Sequence, residues 1–398
     1  MLDMLAERIA TLEESATLQM AALVRELKTK GEDIIDLTLG EPDFDTPQHI
    51  KEAAKMSIDM GFTKYTPVAG YLDLRKTIVE KLNRDNQLSY STEQIVVSTG
   101  AKQSIANVVL SLINPGDEVI IPAPYWVSYS AITHLAEGKV VEIAATIEHD
   151  FKITPDQLEK AITPKSRLFI FSSPCNPTGA VYTIEELEGL AKVFRKYPDI
   201  IILSDEIYEY INFIGKHASI ASLADMSERT VLVNGFSKGF AMTGWRLGYI
   251  AAPLWIAKAC TKMQGQFTSG TCSISQKAGE MAMTGDMQPT KDMCAAYHKR
   301  RDLVFNLLKE IPGVQTNLPT GAFYFFPNIS SFFGKTDGHT IIKNSSDMSM
   351  YLLGDAKVST VSGDAFGDDN CIRFSYATSE EKLQIAMERI KLSLSKLK

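Results

Sequence analysis

The chain has 398 residues, of which 45% are hydrophobic and 22% charged, a balance typical of a folded globular protein. Its 41 Lys and Arg against 48 Asp and Glu give a net charge of −7, which argues against a nucleic-acid partner. Five scattered cysteines predict neither a disulfide framework nor a zinc site and favour the reducing cytoplasm. The sequence shows neither an apolar run of membrane-spanning length nor a secretory signal, so no membrane partner is expected.

The sequence up to about residue 251 has the pattern of a mostly parallel sheet. Residues 1–30 have a helical pattern interrupted near Ser15, and residues 33–39 form a short β-rich run before a loop rich in Pro and Gly. Seven further β-rich runs then alternate with helical stretches, which predicts an α/β fold with a mostly parallel seven-stranded sheet covered by helices. These runs are 95–98, 118–121, 139–143, 167–172, 200–204, 230–234 and 247–251.

The pattern changes near residue 290. A charged helix is predicted at 297–310, strands at 321–326 and 371–375, and a last helix from 380, together a smaller α+β domain. Residues 328–350 are rich in Ser, Gly, Asn and Asp and are expected to be a mobile excursion. We therefore divide the chain into an N-terminal segment 1–45 that joins the small domain, a large domain 46–295, and a small domain 296–398.

The most informative segment is NGFSKGFAMTGWRLG, which starts at Asn234 and ends at Gly248. Lys238 directly follows a β-rich run among small residues, and Arg246 follows in the same segment. A lysine held at a strand end in a dry site has a lowered pKa, and its amine can form a Schiff base with an aldehyde. A lone lysine without that context is more often a solvated surface residue.

This segment resembles the cofactor-lysine signature of the class I pyridoxal-phosphate aminotransferases, in which a small residue, any residue, Ser and Lys precede Gly-Trp-Arg-Leu-Gly. Other blocks similar to the family's occur in the family's order at 39–44, 64–70, 124–129, 176–179 and 204–208. The pattern is most similar to subgroup 1β, the aspartate and aspartate/prephenate aminotransferases of bacteria and plants. The resemblance implies the fold type I of pyridoxal-phosphate-dependent transferases, with the cofactor held by the large domain, and a homodimer whose active sites are shared across the interface.

The resemblance also assigns cofactor-binding residues. Lys238 is expected to hold pyridoxal 5′-phosphate as a Schiff base and to carry the proton during catalysis, and Asp205 to pair with the pyridine nitrogen. The resemblance further implies that Tyr208 and Asn176 contact the ring O3′, that the bond from Asn176 to the following proline is cis, and that Trp126 stacks on the ring. The residues expected to contact the phosphate are Gly100, Ala101, Lys102, Ser237, Arg246 and, from the neighbouring subunit, Tyr65.

The resemblance assigns the substrate as well. Arg373 is expected to bind the α-carboxylate, helped by Gly40, Asn176 and Trp126. Lys102 and Thr17 match the subgroup's contacts to the side-chain carboxylate, so the resemblance implies that both bind the substrate. The implied reaction moves the amino group of L-aspartate to 2-oxoglutarate and gives oxaloacetate and L-glutamate.

Three alternatives to this reaction stay open at this point. Some members with the same Thr and Lys also transaminate prephenate, and aromatic amino acids are possible substrates. The lysine signature reports the cofactor more than the reaction outcome, so a lyase or racemase on the same fold is a second alternative. A cofactor-binding regulator, in which this fold follows a DNA-binding domain, is the third, and the short segment ahead of the fold disfavours it.

Overall fold

The computed structural model describes residues 5–12 and 14–398; residues 1–4 and 13 of the predicted N-terminal segment lie outside the described residues. The helices are α1 Glu7–Ala10, α2 Ala16–Thr29, α3 Gln48–Asp59, α4 Leu72–Lys81, α5 Ala101–Leu112, α6 Ser128–Leu135, α7 Pro155–Ala161, α8 Ile184–Phe194, α9 Leu254–Phe267, α10 Ser273–Thr284, α11 Gln288–Lys309, α12 Ser345–Tyr351 and α13 Glu380–Leu394. The strands are β1 Ile35–Asp36, β2 Ile95–Ser98, β3 Glu118–Ala123, β4 Lys139–Ala144, β5 Ser166–Ser172, β6 Ile201–Asp205, β7 Thr230–Gly235, β8 Gly248–Ala251, β9 Tyr324–Phe325, β10 Val358–Ser359, β11 Val361–Ser362 and β12 Ile372–Ser375.

The predicted seven-stranded sheet is confirmed, with the strand order β2-β8-β7-β6-β5-β3-β4. Only β8 runs against its neighbours β2 and β7, and the other strands pair in parallel. Successive side chains of β5 point to opposite faces: Leu168 and Ile170 pack in one apolar cluster, and Phe169 and Phe171 in another. Both faces are therefore covered by helices, as an α/β fold requires.

A second layer of structure lies beside this sheet. β1 pairs in parallel with β10, and β11, β12 and β9 form a small antiparallel sheet. The long helix α11 packs against α13 there. Because Pro289 fits the first turn of a helix, α11 begins well before the predicted residue 297. The predicted domain boundary at 295/296 falls inside this helix, and the domain boundaries stay predictions.

Two expectations for the second half of the chain were wrong. The predicted strand at 321–326 is reduced to β9, because Ala322 has a positive φ of 55° and donates its N–H to the carbonyl of Ile211 instead of a strand partner. Residues 328–350 are packed rather than a loose excursion. Phe332, Ile342 and Met348 are buried in the same apolar cluster as α11, so apolar residues spaced among the polar ones hold this segment down.

The topology brings several strand ends to one edge of the large sheet. β5, β6 and β7 end there, and reversed β8 begins there, so the connection from β7 to β8 stays at this edge. Ligands in parallel α/β sheets bind at the carboxyl ends of the strands. None of the helices in the described part of the chain combines the length and apolar character that a membrane crossing requires.

Candidate active site

A cavity of about 350 Å³ opens at this edge, between the large sheet and the small antiparallel sheet. The large sheet supplies residues from strand ends and from the start of α5, the small sheet supplies Arg373 of β12, and the N-terminal segment supplies residues on both sides of β1. Most of the predicted site residues line this one cavity: Thr17, Gly40, Ala101, Lys102, Trp126, Asn176, Asp205, Tyr208, Ser237, Lys238, Arg246 and Arg373.

Two predicted residues do not line the cavity in this chain. Gly100 lies just behind its wall, directly before α5, with a φ of 83°. A Cβ at this position would lie 2.5 Å from Nη2 of Arg246, so a glycine lets the guanidinium approach the start of α5. Tyr65 lies outside the cavity with 98% of its surface exposed.

Lys238 lies just past the end of β7 and is largely buried. Its amine donates a hydrogen bond to the carbonyl of Gly40. Burial lowers the pKa of Lys238 to about 8; the charges of Arg373 and Arg246 also lower it, while those of Glu41 and Asp205 act in the opposite direction. A substantial fraction of the amine is therefore neutral and nucleophilic near neutral pH.

Asp205 is the last residue of β6 and is buried. Its carboxylate accepts hydrogen bonds from the hydroxyl of Tyr129 at 2.7 Å and from the backbone N–H of Ile207 at 3.2 Å. Burial raises the pKa of Asp205 to about 6, although both hydrogen bonds favour the charged form. Because of this raised pKa, the carboxyl group can share a proton with a ligand in the cavity.

Two tyrosines join the cavity to the small sheet. The hydroxyls of Tyr208 and Tyr324 lie 2.7 Å apart, and both side chains are buried. The guanidinium of Arg373 stacks 4.8 Å from the ring centre of Tyr324 and 4.8 Å from that of Phe366. These rings fix the plane of the guanidinium inside the cavity.

Arg373 is a buried cation whose hydrogen-bonding groups are not all satisfied. Its Nη1 donates to Oδ1 of Asn176 at 3.0 Å and its Nη2 to the carbonyl of Thr38 at 2.5 Å. Within residues 5–12 and 14–398, Nε has no hydrogen-bond partner and no carboxylate forms an ion pair with this guanidinium. A buried charge of this kind is costly unless an anion binds, so the geometry favours a carboxylate ligand.

A second cationic end of the cavity lies at the start of α5. The Nζ of Lys102 lies 5.0 Å from the ring centre of Trp126. Burial, and secondarily the charge of Arg246, lowers the pKa of Lys102. Thr17 approaches this end from the first turn of α2, so two chain segments far apart in sequence meet there.

The structure adds residues that the sequence interpretation did not assign. Tyr129 lies at the end of the 124–129 block, and its role depends on a contact with Asp205 that sequence order does not reveal. Tyr324 stands in an apolar run that indicates only a core strand. Glu41 and Ser172 also line the cavity, and the Ser172 hydroxyl is buried without a partner in the described residues.

Comparison with known proteins decides the family. The family model for aminotransferase class I and II matches residues 32–390. The chain belongs to the class I and II aminotransferases. Among curated relatives of this aminotransferase, the bifunctional aspartate aminotransferase and glutamate/aspartate-prephenate aminotransferase of Petunia hybrida is 48% identical, over 99% of this chain and 83% of that protein. The aspartate/prephenate aminotransferase of Nitrosomonas europaea is 47% identical, over 98% of this chain and 100% of that protein.

Solved structures of aminotransferases share the whole fold. The aspartate aminotransferase from Rhizobium meliloti superposes with a TM-score of 0.96 at 42% identity and covers 99% of each chain. The aspartate aminotransferase from Thermus thermophilus with maleate has a TM-score of 0.91 at 39% identity, over 98% of this chain and 99% of that chain. The predicted fold type is thus confirmed.

Aminotransferases of this family use pyridoxal 5′-phosphate, and the cavity fits that cofactor. Attack on the cofactor aldehyde requires a neutral amine, and the lowered pKa of Lys238 increases the neutral fraction near pH 7. A dianionic phosphate would be held by the start of α5 and by Arg246, whose guanidinium lies close to that helix end because Gly100 has no side chain. A pyridine ring fits between these groups and the buried Asp205.

Proposed function

We propose that this aminotransferase moves the amino group of L-aspartate to 2-oxoglutarate, forming oxaloacetate and L-glutamate. The observation that carries the proposal is the convergence of a nucleophilic amine, a buried carboxyl and an unpaired buried guanidinium in one cavity: Lys238, Asp205 and Arg373. Relatives at 45–48% identity that are named aspartate or aspartate/prephenate aminotransferases support the substrate.

The proposed cofactor contacts use residues from both sides of the cavity. When bound, pyridoxal 5′-phosphate supplies a carbonyl that takes up the amino group and a protonated ring that withdraws electrons from the substrate Cα. Trp126 packs on one face of the ring, and Asp205 pairs with the ring nitrogen. Tyr208 and Asn176 donate hydrogen bonds to O3′. The phosphate is bound by the first backbone N–H groups of α5 after Gly100, from Ala101 and Lys102, and by Ser237 and Arg246.

Lys238 performs the proton transfer in this proposal. With cofactor and substrate bound, the free amine of Lys238 would be the group in this cavity that accepts a proton from the substrate Cα and returns it to C4′. A pKa of about 8 is suited to this task, because the amine both accepts and returns a proton near neutral pH. Asp205 supports the step by holding a negative charge at the ring nitrogen.

The two cationic ends of the cavity fit a dicarboxylate. Arg373 binds the α-carboxylate through its planar fork, and Asn176 and the backbone of Gly40 complete that end. Lys102 and Thr17 bind the side-chain carboxylate at the other end. The relative from Thermus thermophilus was solved with maleate, which is itself a dicarboxylate, and this supports two carboxylate subsites here.

A spectroscopic half-reaction tests the proposal. Adding L-aspartate to the cofactor-loaded protein is expected to convert the absorbance of the aldehyde form to that of the amine form, and 2-oxoglutarate is expected to reverse it. L-Alanine, which lacks the second carboxylate, is the matched control and is expected to react far more slowly. Conversion that 2-oxoglutarate does not reverse would contradict transamination and favour a lyase or racemase.

Prephenate is a second candidate substrate. Apolar side chains, Leu18, Leu39 and Val127, line the cavity together with Trp126, and they leave a surface on which a ring can pack beside Lys102. Leu18 and Leu39 are 63% and 43% exposed, so this apolar surface lies at the mouth of the cavity. The name of the Nitrosomonas europaea relative supports the activity. Amino transfer from L-aspartate to prephenate, followed by chromatography, tests it, and absence of an aminated product would exclude it.

We further propose a homodimer with shared active sites. Tyr65 is 98% exposed and contacts nothing in the cavity of its own chain, which fits a role at the phosphate of the partner subunit. Mixing Tyr65→Ala with Lys238→Ala tests this, because the hybrid dimer contains one site with both residues intact. Activity restored on mixing supports the shared site, and a mixture as inactive as its components would contradict it.

We place the enzyme in the cytoplasm. All five cysteines are free thiols in the structure, and three of them, Cys175, Cys272 and Cys294, are at least partly accessible to solvent. Unpaired thiols fit a reducing compartment. Fractionation of the source cells tests this, and recovery of the enzyme outside the cytoplasmic fraction would contradict it.

A further inference from the structure

The segment Asp205 to Glu209 has two functional faces. Asp205 and Tyr208 line the cavity, whereas Glu206 and Glu209 do not and are buried, with 0% and 6% of their surfaces exposed. Burying two carboxylates behind a catalytic carboxyl is costly unless cations and donors compensate them. The groups around these two glutamates therefore bear on the charge of Asp205.

Glu209 is tied to the strand that leads to Lys238. It forms an ion pair with Lys81 of α4, whose side chain is 1% exposed. It also accepts hydrogen bonds from Nδ2 of Asn234 at 2.8 Å and from Nδ2 of Asn86 at 3.4 Å. Asn234 in turn accepts the backbone N–H of Gly235 at 2.7 Å, so the carboxylate is linked to the end of β7.

The carboxylate of Glu206 is also surrounded by hydrogen-bond donors. It accepts hydrogen bonds from the hydroxyls of Ser204 at 2.9 Å and Ser219 at 2.6 Å, and it lies 2.9 Å from Nε2 of His217. Burial disfavours the charged form of His217, but the charge of Glu206 and, more weakly, that of Glu209 outweigh burial and raise the pKa of His217. The imidazole therefore carries a positive charge over more of the neutral pH range than a free histidine.

We call Lys81, Glu206, Glu209 and His217 the charge cluster. When His217 is protonated, two cations and two carboxylates give it no net charge. The ligand atoms of Glu206, Glu209 and His217 lie within 4.8 Å of one another, but the ammonium of Lys81 already supplies the cation. The other titratable groups that face the cluster are the phenols of Tyr90, Tyr210 and Tyr249, whose pKa values burial raises so that they stay neutral, and Asp85, which accepts the hydroxyl of Tyr210.

We propose that the charge cluster is a set of positioning residues that hold Asp205 and Tyr208 against the cofactor ring, and that its cations, Lys81 and His217, offset the charges of Glu206 and Glu209, which would otherwise favour the protonated form of Asp205. The inference rests on the proposed role of Asp205 at the ring nitrogen. It assigns a function to four residues that lie outside the cavity. Glu206 is the residue through which the cluster acts on Asp205, because it is next in the chain and shares the same buried surroundings.

The charges of the cluster predict the direction in which each substitution shifts the pKa of Asp205. The pKa of Asp205 is about 6 because burial raises it, and the charge of Glu206 raises it further. Replacing His217 by glutamine leaves Glu206 uncompensated, so the pKa of Asp205 rises. Replacing Glu206 by glutamine removes the carboxylate whose charge raises the pKa of Asp205, so that pKa falls. A neighbouring unit charge in a buried site shifts a carboxyl pKa by about one unit or more.

Binding of pyridoxamine 5′-phosphate to the full-length cofactor-free protein reports this pKa through the difference between variants, because the phosphate of the probe titrates near pH 6 in all of them. This probe has the ring and the phosphate but no aldehyde, so Lys238 does not react with it. Its dissociation constant is determined by fluorescence between pH 5 and pH 9, and affinity is expected to fall where Asp205 becomes protonated. We expect the midpoint of that fall to move up by about one pH unit in His217→Gln and down by about one unit in Glu206→Gln.

Because the midpoint is expected to rise in His217→Gln and to fall in Glu206→Gln, the pair of variants distinguishes an effect on Asp205 from general damage to the fold. A loss of packing would weaken binding at every pH and leave the midpoint unchanged, and that outcome in both variants would overturn the proposal. His298→Gln is the matched control, because His298 is 46% exposed beside Asp302 at 3.9 Å, and its midpoint should equal that of the wild type. If Glu206→Gln does not fold, Glu209→Gln is expected to lower the midpoint by a smaller amount, and no change would also overturn the proposal.

The wild-type measurement keeps the two proposals distinguishable. If the fall in affinity near pH 6 is no larger in the wild type than in Asp205→Asn, the role of Asp205 at the ring nitrogen fails, and with it the proposed mechanism. If the wild type shows the fall and both variants keep the same midpoint, only the charge-cluster proposal fails. Transamination of L-aspartate by the cofactor-loaded wild type, measured in parallel, gives a third and independent readout.

Discussion

Replacing Lys102 by methionine is the sharpest test of substrate choice. Methionine keeps an unbranched chain against Trp126, whose ring centre lies 5.0 Å from the lysine Nζ, so the substitution removes the charge with little change in packing. The backbone N–H of residue 102, which is proposed to bind the cofactor phosphate, is unchanged. The loss should therefore fall on substrates that carry a second carboxylate.

The structure sets the size of this loss. Burial lowers the pKa of Lys102, so its ammonium is partly desolvated, and no carboxylate in the described residues pairs with it. A charge-assisted hydrogen bond in such a place contributes about 1.5–3 kcal/mol, which corresponds to roughly ten- to more than a hundredfold in kcat/KM for L-aspartate. L-Alanine should lose less than about threefold, because it places no charge at this end of the cavity.

The assay is kcat/KM for L-aspartate and for L-alanine in the wild type and in Lys102→Met. Lys309→Met is the matched control, because Lys309 is exposed and its Nζ lies 5.4 Å from the ring centre of Phe305, a similar contact far from the cavity. Equal losses for both amino acids would refute the reasoning and show that Lys102 serves the cofactor or the fold. A lowered pKa also predicts that the preference for L-aspartate weakens at alkaline pH, where the amine loses its proton.

Three other predictions concern the cofactor and the α-carboxylate. Lys238→Ala should stay folded and lose turnover by about 10⁴-fold or more. In the cofactor-free wild type, the rate at which pyridoxal 5′-phosphate attaches to Lys238, measured by stopped-flow absorbance, should increase as the pH rises through about 8. A rate that does not depend on pH would contradict the lowered pKa. Tyr129→Phe removes a hydrogen bond to the charged form of Asp205, so its pKa should rise above about 6 and the acid limb of the kcat profile should move to higher pH; an unmoved limb would show that the bond is incidental. Arg373→Leu should raise KM for every amino acid, because all share the α-carboxylate, and an effect limited to dicarboxylic substrates would exclude this assignment.

The sequence was sufficient for the large sheet and for most of the cavity. Short β-rich runs alternating with helices have few topological solutions, and side chains that directly follow strands, such as Asp205 and Lys238, necessarily meet at one edge. The family resemblance then assigned site residues from distant segments, among them Thr17 and Arg373, that the structure brings together. Family resemblance, rather than periodicity, carried those last two assignments.

The features that the sequence did not predict depend on contacts between residues that only the folded chain brings together. The hydroxyl of Tyr324 in β9 lies 2.7 Å from that of Tyr208 in the turn after β6, and nothing in the apolar run around Tyr324 indicates that contact. The 328–350 segment was expected to be loose because its composition is polar, yet a few buried side chains such as Ile342 are enough to hold it. Composition averages over a segment, whereas burial depends on individual side chains.

The pairing of Gly235 with Gly248 closes the connection between β7 and β8 into a loop of fixed length. Lys238 lies at one end of this loop and Arg246 at the other, and the stretch between Phe236 and Phe240 is almost entirely buried. An insertion or deletion there would find no space to bulge and would move the amine relative to the guanidinium. In evolutionary terms, related chains are free to vary in the length of their surface loops, but this loop is expected to keep the same number of residues wherever it serves the same cofactor.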